Sequence, residues 1–197
     1  MPATNTRTRY GNVAMTLHWL IAAAIIVNLC LGLYMANILT DQDPSRFPII
    51  QFHKSLGLTV LTLSVLRLIW RIVNPVPPLL DSMSSGLKTL ARTTHYLLYF
   101  LIIAIPLTGW ALVSASPLGL PTNYFGLFHW PGIPFLTDLT RAQKMPLRHE
   151  FFAMHFYLAI SALVLVPLHI AGALYHQFRG EDVLRRMLPG TRVAGRA

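Results

Sequence analysis

Four histidines in this sequence occupy positions from which their side chains could bind metal between membrane helices. His155 and His169 lie fourteen residues apart in the apolar run HFYLAISALVLVPLH. Fourteen residues fall about 40° short of four helical turns and rise about 21 Å, so these imidazoles share one helix face at two depths. His18 lies in the first apolar run at the depth of His169, and His53 lies in the second at the depth of His155. Two pairs result, and each joins the last helix to a different helix.

Two stacked, metal-containing cofactors would require this arrangement. Neutral imidazole is a good ligand for haem iron, and a pair of imidazoles fills both axial positions. A haem without an open position is suited to electron transfer. Zinc is disfavoured, because structural zinc sites use four close ligands with thiolates or carboxylates that the spans lack. Two alternatives stay open: histidines that only form hydrogen bonds at the membrane interface, and the proton pathway of a haem-free transporter.

Small and charged residues near these histidines fit the same hypothesis. Gly32 lies fourteen residues after the histidine of the first helix, which leaves room for a porphyrin at the outer level. Arg67 lies fourteen residues after the histidine of the second helix, at the inner level. There its guanidinium could meet a propionate or reach the membrane surface. Gly57 and Gly172 each follow a histidine by about one turn, and close helix packing is the alternative explanation for such small residues.

The composition indicates a membrane protein. Of the 197 residues, 54% are hydrophobic and 12% are charged, and the mean hydropathy is +0.52. These values are too apolar for an ordinary soluble domain. Four continuous apolar runs are long enough to cross a bilayer, and continuous runs predict helices rather than a barrel. The predicted fold is therefore an all-α bundle of four transmembrane helices in one domain over residues 1–197, with spans at 13–39, 49–70, 93–115 and 151–178 and an outer loop at 116–150.

The basic residues indicate how the helices are oriented. The formal net charge is +9, but the Lys and Arg residues lie between or beyond the spans, which disfavours nucleic-acid binding. With four spans both termini share one side, and that side holds eleven of the sixteen Lys and Arg residues. The positive-inside rule therefore places both termini in the cytoplasm. The eleven are Arg7, Arg9, Arg67, Arg71, Lys88, Arg92, Arg179, Arg185, Arg186, Arg192 and Arg196.

A resemblance to a known family covers essentially the whole chain. The stretches that carry it are RYGNVAMTLHWL, HKSLGLTVLTLSVLRLIWRIVNPVPP, HYLLYFLIIAIPLTGW and HFYLAISALVLVPLHIAGALYHQF. In combination they resemble the bacterial cytochrome b561 family, which is related to the b-type cytochrome subunits of membrane hydrogenases and formate dehydrogenases. In that family a four-helix bundle holds two b haems, one near each membrane face, and passes electrons between the quinone pool and other redox partners.

The resemblance implies a ligand set for each haem. His18 and His169 would hold the inner haem, and His53 and His155 would hold the outer one. The implied cofactors are two haem b, and the implied substrate is ubiquinone or another quinone. The protein would lie in a bacterial inner membrane, in contact with lipid. The oligomeric state stays open.

The sequence departs from the family pattern at one ligand. Members often have His-Glu at the first ligand position of the last helix, whereas here His149 and Glu150 stand just before this position, with His149 six residues ahead of His155. Only His155 keeps the fourteen-residue spacing to the second ligand of that helix. We therefore assign the ligand to His155, with His149 as an outer-surface residue that could contact a propionate or a donor.

Three more histidines have no ligand role in this scheme. His95 and His176 lie near the inner face, where the resemblance implies a quinone site and where a histidine could exchange a proton with the quinone. His129 lies in the outer loop, whose aromatic residues predict either a lid or an anchor at the membrane interface.

The predicted function is transmembrane electron transfer between a donor on the periplasmic side and the quinone pool. Arg141, Lys144 and Arg148 near the end of the outer loop make a positive approach to the outer haem, which would steer a small anion such as superoxide. The alternative for these residues is an ordinary solvated loop. The alternative for the whole chain is the membrane anchor and electron conduit of a larger respiratory dehydrogenase.

Overall fold

Four long helices make up most of the chain. The computed structural model describes residues 2–6, 8–79 and 82–190. Arg7, Arg192 and Arg196, which contribute to the predicted orientation, lie outside these residues. In chain order the elements are α1 (Asn12–Asn37), α2 (Arg46–Val73), α3 (Ser85–Ser114), β1 (Thr122–Tyr124), β2 (Phe128–Trp130), α4 (Pro134–Thr137) and α5 (Arg141–Phe178), followed by a 3-10 turn at Arg185–Met187.

The four predicted membrane helices are confirmed. α1, α2, α3 and α5 are each long and apolar enough to cross a bilayer. A helix satisfies its backbone hydrogen bonds internally, which a chain segment in hydrocarbon requires. Large apolar side chains stay exposed along all four helices, as expected for a protein whose outer surface is covered by lipid.

The last helix begins earlier than its predicted span. Residues 141–150, which the sequence analysis places in the outer loop, form the first turns of α5. A capping box at Thr140 and Gln143 starts the helix: the Gln143 side chain accepts from the Thr140 backbone N–H at 3.0 Å, and the Thr140 side chain caps in return. α5 therefore extends beyond the apolar run at its N-terminal end.

The helices pack in a chain and leave one side open. α1 packs on α2, α2 on α3, and α3 on α5. Over the part of the chain that the structure describes, Ala162 is the one buried residue of α5. The face of α5 that carries His155 and His169 is thus not closed by tight packing against α1 and α2, and this is where both histidine pairs meet.

The outer loop contains a folded hairpin. β1 and β2 pair antiparallel, with Asn123 opposite His129. Phe125 and Gly126 have φ values of 47° and 75° at the centre of the turn, as a type I′ hairpin turn requires. The Leu127 N–H closes this turn by donating to the Tyr124 carbonyl at 2.9 Å.

One face of α2 binds this hairpin. Gln51, Ser55 and Thr59 are spaced four residues apart, so they line one stripe of the helix. Gln51 exchanges bonds of 3.1 Å with the Pro121 carbonyl and the Asn123 N–H. The fully buried Ser55 hydroxyl accepts from the Phe125 N–H at 3.0 Å, and Thr59 meets the Tyr124 hydroxyl at 2.9 Å. Polar groups in an apolar span therefore hold the hairpin onto the bundle.

Replacing Ser55 by alanine is expected to destabilise the hairpin. The change removes the hydroxyl that accepts from the Phe125 N–H and donates to the Asn123 carbonyl, and each such hydrogen bond contributes about 0.5–1.5 kcal/mol. The measurement is thermal unfolding of the detergent-solubilised protein together with limited proteolysis at residues 125–127.

Ser64→Ala is the matched control for this prediction. Ser64 is equally buried on the same helix, but its hydroxyl has no hydrogen-bond partner among the described residues. We expect Ser64→Ala to be neutral or slightly stabilising. Equal destabilisation by the two substitutions would contradict the proposed anchoring of the hairpin.

Candidate redox site

The outer pair of histidines meets between α2 and α5. The ring centroids of His53 and His155 lie 6.2 Å apart, with an angle of 83° between the rings. Gly32 of α1 faces this pair, because a Cβ added there would lie 3.8 Å from Cε1 of His53. The predicted association of His53, His155 and Gly32 at one level is therefore present in the geometry.

The inner pair meets between α1 and α5. The ring centroids of His18 and His169 lie 6.4 Å apart, with an angle of 78° between the rings. A third imidazole joins this pair, since the His95 ring on α3 lies 5.3 Å from that of His169. The sequence predicts His95 near the inner face, but its contact with His169 does not follow from the spacing.

Both separations fit a single metal atom between two imidazoles. Two rings bound to one metal through bonds of about 2 Å would have their centroids roughly 6 Å apart. The pairs also lie at two depths on α5, as the fourteen-residue spacing predicts. These residues therefore fit the axial ligands of two haems.

One ring nitrogen of His155 is occupied by a hydrogen bond to α3, which leaves the other free. Its Nδ1 lies 2.9 Å from the Ile105 carbonyl of α3, and an N–H must be the donor in this pair. The proton on Nδ1 leaves Nε2 with a free lone pair, which is the form of histidine that binds a metal. Thr108 stands next to this contact, with its hydroxyl 3.4 Å from Nδ1.

Gly109 is a site residue that the sequence analysis missed. A Cβ at this position would lie 3.0 Å from Cε1 and 3.2 Å from Nδ1 of His155, closer than ordinary contacts. The glycine therefore lets the imidazole approach α3 and reach the Ile105 carbonyl, four residues earlier. The available signal was a glycine inside the apolar run IIAIPLTGW.

Arg67 lies at the end of the bundle that carries His18 and His169. Its guanidinium donates to the Ala14 carbonyl of α1 and to the Tyr99 hydroxyl of α3, both at 3.2 Å. Arg71 stacks on the same Tyr99 ring at 5.1 Å. Nearby, burial raises the pKa of Tyr10 above its ordinary value, so this phenol stays neutral beside the two arginines. Positive charge is thus concentrated near the inner pair.

The two remaining predicted glycines face different surroundings. A Cβ added at Gly57 would lie 3.4 Å from Nδ2 of Asn28, so this glycine serves the α1–α2 contact. A Cβ added at Gly172 would meet no atom of the described residues within 4 Å.

The other histidines lie away from the two pairs. His149 is exposed on the outer turns of α5, and His129 is exposed on β2. His149 is six residues from His155, which turns it about 120° away from the ligand face. His176 is bound through Nδ1 to the Glu181 carboxylate just after α5, and both side chains are largely buried.

The fold and the histidine pairs define a class of protein: a helical membrane protein of the electron-transfer cytochrome type. A family model for prokaryotic cytochrome b561 matches residues 9–190. The chain belongs to this family, which confirms the predicted relationship and identifies a b-type haem protein of membrane electron transfer.

Two curated relatives extend over nearly the whole chain. "Cytochrome b561 homolog 2" of Escherichia coli strain K12 is 35% identical over 189 residues, which cover 95% of each protein. "Probable superoxide oxidase CybB" of Yersinia pestis is 24% identical over 187 residues, covering 93% of this chain and 98% of the relative. The similarity thus includes all four membrane helices.

Proposed function

We propose that this protein binds two b haems and transfers electrons from a donor on the outer side of the bacterial inner membrane to a quinone on the inner side. His53 and His155 would hold the outer haem, and His18 and His169 the inner one. The observation that carries this proposal is the two imidazole pairs, which join α5 to α2 and to α1 at two depths. In each pair the ring centroids are separated by the distance expected when one metal atom lies between them. When bound, the haems supply iron couples that accept and release single electrons.

The proposed orientation rests on the basic residues. Among the described residues of the proposed cytoplasmic side, Arg67 and Arg71 lie at the inner end of α2 beside the inner pair. Both termini would then be cytoplasmic, as the positive-inside rule predicts.

Superoxide is the outer-side donor that the charges favour. On α5, Arg141, Lys144 and Arg148 fall within about 60° of one another and of His155, on the same helix face. Glu150 lies on the opposite face. A line of cations that leads to a proposed ligand would attract a small anion. The name of the Yersinia pestis relative, a probable superoxide oxidase, supports the same donor.

The electron count requires two donors for each quinone. Two superoxide anions would lose one electron each and leave as two molecules of oxygen. One quinone would take up these two electrons and two protons to become a quinol. The protein would therefore deliver protons at the quinone, whereas the outer haem would take up electrons without protons.

Stopped-flow mixing with superoxide tests the donor. We expect the wild-type haem to be reduced rapidly, and the triple variant Arg141→Gln, Lys144→Gln, Arg148→Gln to be reduced about tenfold more slowly at low salt, because steering charges change association rates. Arg46→Gln is the control, since Arg46 is already paired with Asp41 at 3.1 Å. Absence of haem reduction in the wild type would exclude superoxide as donor.

The His176 and Glu181 pair makes His176 a candidate proton donor to quinone. Its Nδ1 is engaged by the carboxylate, and the pair sits at the inner end of α5. We expect His176→Gln to slow quinone reduction about 100-fold, the lower range for the loss of a general acid. The measurement is steady-state quinol formation, with His129→Gln on the exposed hairpin as control.

Measuring reduction of the outer haem separately from quinol formation distinguishes the superoxide half of the reaction from the quinone half. His176→Gln should leave the superoxide-driven haem reduction unchanged, because the substitution acts after that step. Unchanged quinol formation in this variant would rule out His176 as the proton donor and leave His95, next to His169, as the remaining candidate.

A further inference from the structure

Asn28 is a polar residue in the apolar middle of α1. Between His18 and Tyr34, it is the one residue of α1 with an amide or charged side chain. Its Oδ1 is buried and accepts no hydrogen bond from the described residues. An unpaired polar group in a membrane span costs several kcal/mol. The position therefore calls for a partner.

An unpaired donor lies on the neighbouring helix. Nδ1 of His53 is buried and has no hydrogen-bond partner in the part of the chain that the structure describes. The His53 ring packs against α1 at Gly32, four residues after Asn28. The Asn28 backbone lies close to this ring, but no hydrogen bond of ordinary geometry joins the two. The Asn28 side chain points to α2, where its Nδ2 lies 3.4 Å from the Cβ position of Gly57, one turn after His53. A free acceptor and a free donor thus belong to the same helix contact.

His155, the other histidine of the outer pair, already has a hydrogen-bond acceptor for its Nδ1. His155 donates from Nδ1 to the Ile105 carbonyl at 2.9 Å, and Gly109 four residues later gives the ring its room. α1 presents to His53 the same spacing, with Asn28 four residues before Gly32. His155 is bonded to a backbone carbonyl. At His53 the Asn28 backbone is near but forms no bond of ordinary geometry, and the unpaired side-chain oxygen of Asn28 is available as the acceptor.

We propose that Asn28 is the positioning residue of His53: its side-chain oxygen accepts the Nδ1–H of His53, directs Nε2 toward the outer site and sets the reduction potential there. An acceptor on Nδ1 makes the imidazole a more basic ligand, which stabilises the oxidised metal. Asn28 would thus keep the potential of the outer haem low. This inference rests on the proposed ligand role of His53.

The test compares Asn28→Leu, Asn28→Thr and Cys30→Ala in the full-length protein purified with its haem. Potentiometric titration followed by visible spectra gives the potential of each haem, and electron paramagnetic resonance reports the ligand orientation.

Asn28→Leu removes the acceptor, so the potential of the outer haem should rise, or that haem should be lost, while the inner haem is unchanged. Asn28→Thr keeps an oxygen acceptor and should give a smaller shift. Cys30 is exposed on another face of α1, so Cys30→Ala should behave as the wild type.

Two results would overturn the role of Asn28. One is that Asn28→Leu leaves the reduction potential of the outer haem and the electron paramagnetic resonance spectrum unchanged. The side chain of residue 28 would then have no part in orienting His53, and the backbone there would be enough. The other is an identical effect of leucine and threonine, which would indicate packing alone. A wild-type protein with a single haem would instead refute the proposed function, and this is visible before any variant is compared.

Discussion

Replacing His155 by alanine is expected to remove the proposed outer haem and to leave the proposed inner haem in place. The outer site then keeps only His53, and the inner pair stays intact because its two imidazoles lie on other turns of α1 and α5. The haem content per protein should fall by about half, since one of two axial ligands in a paired site is lost. A haem assay and the reduced-minus-oxidised visible spectrum measure this loss.

His149→Ala is the matched control on the same helix. His149 is exposed on the outer turns of α5 and faces about 120° away from His155, so both haems should remain. Loss of a haem with His149 and its retention without His155 would show that the fourteen-residue spacing identifies the wrong ligand. The outer site would then have to be placed higher on α5.

Helical periodicity explains why much of the bundle could be predicted from the sequence. A span in lipid must be apolar over about 20 residues, so α1, α2, α3 and α5 are visible in composition alone. Residues fourteen apart on a helix share a face whatever lies around them. The association of His53 with His155, and of His18 with His169, follows from this rule once successive spans alternate in direction, because α5 then runs parallel to α2 and antiparallel to α1.

Contacts that depend on helix rotation and loop packing could not be predicted in the same way. The contact of His95 with His169 depends on how α3 and α5 are rotated relative to each other. The helical periodicity of either sequence alone does not predict that rotation. The hairpin depends on hydrogen bonds from Gln51 and Ser55, distant in sequence from the strands. The early start of α5 did leave a local signal, the capping box at residues 140–143, which the apolar pattern obscured.

Titratable and charged groups are distributed unequally between the two levels. The polar groups near the outer pair are neutral, namely the Ile105 carbonyl, the Thr108 hydroxyl and the Asn28 amide, whereas the inner pair has a third histidine and two arginines nearby. Extra titratable and charged groups are useful where protons and anionic groups are handled. This difference supports the proposed placement of the quinone at the inner level and of electron entry at the outer one.

Gly109→Val is expected to displace His155 and to release the outer haem. Even the Cβ of alanine would lie 3.0 Å from Cε1 and 3.2 Å from Nδ1 of the ring, so the imidazole must move. Overpacking of this kind costs about 1–3 kcal/mol, and valine adds two more methyl groups in the same space. The bond from His155 to the Ile105 carbonyl would also be lost. We expect a graded loss of outer haem from wild type to Gly109→Ala to Gly109→Val, measured by haem content and by the spectrum of the remaining haem.

Gly86→Ala separates this steric effect from a general effect on α3. Gly86 lies on the same helix, and a Cβ added there would contact nothing within 4 Å among the described residues. Alanine is a better helix former than glycine by about 1 kcal/mol, so this variant should keep both haems and be at least as stable as the wild type. If Gly109→Val also kept both haems at unchanged potentials, the approach of His155 to α3 would have no part in binding. The ligand would then be held by α5 alone.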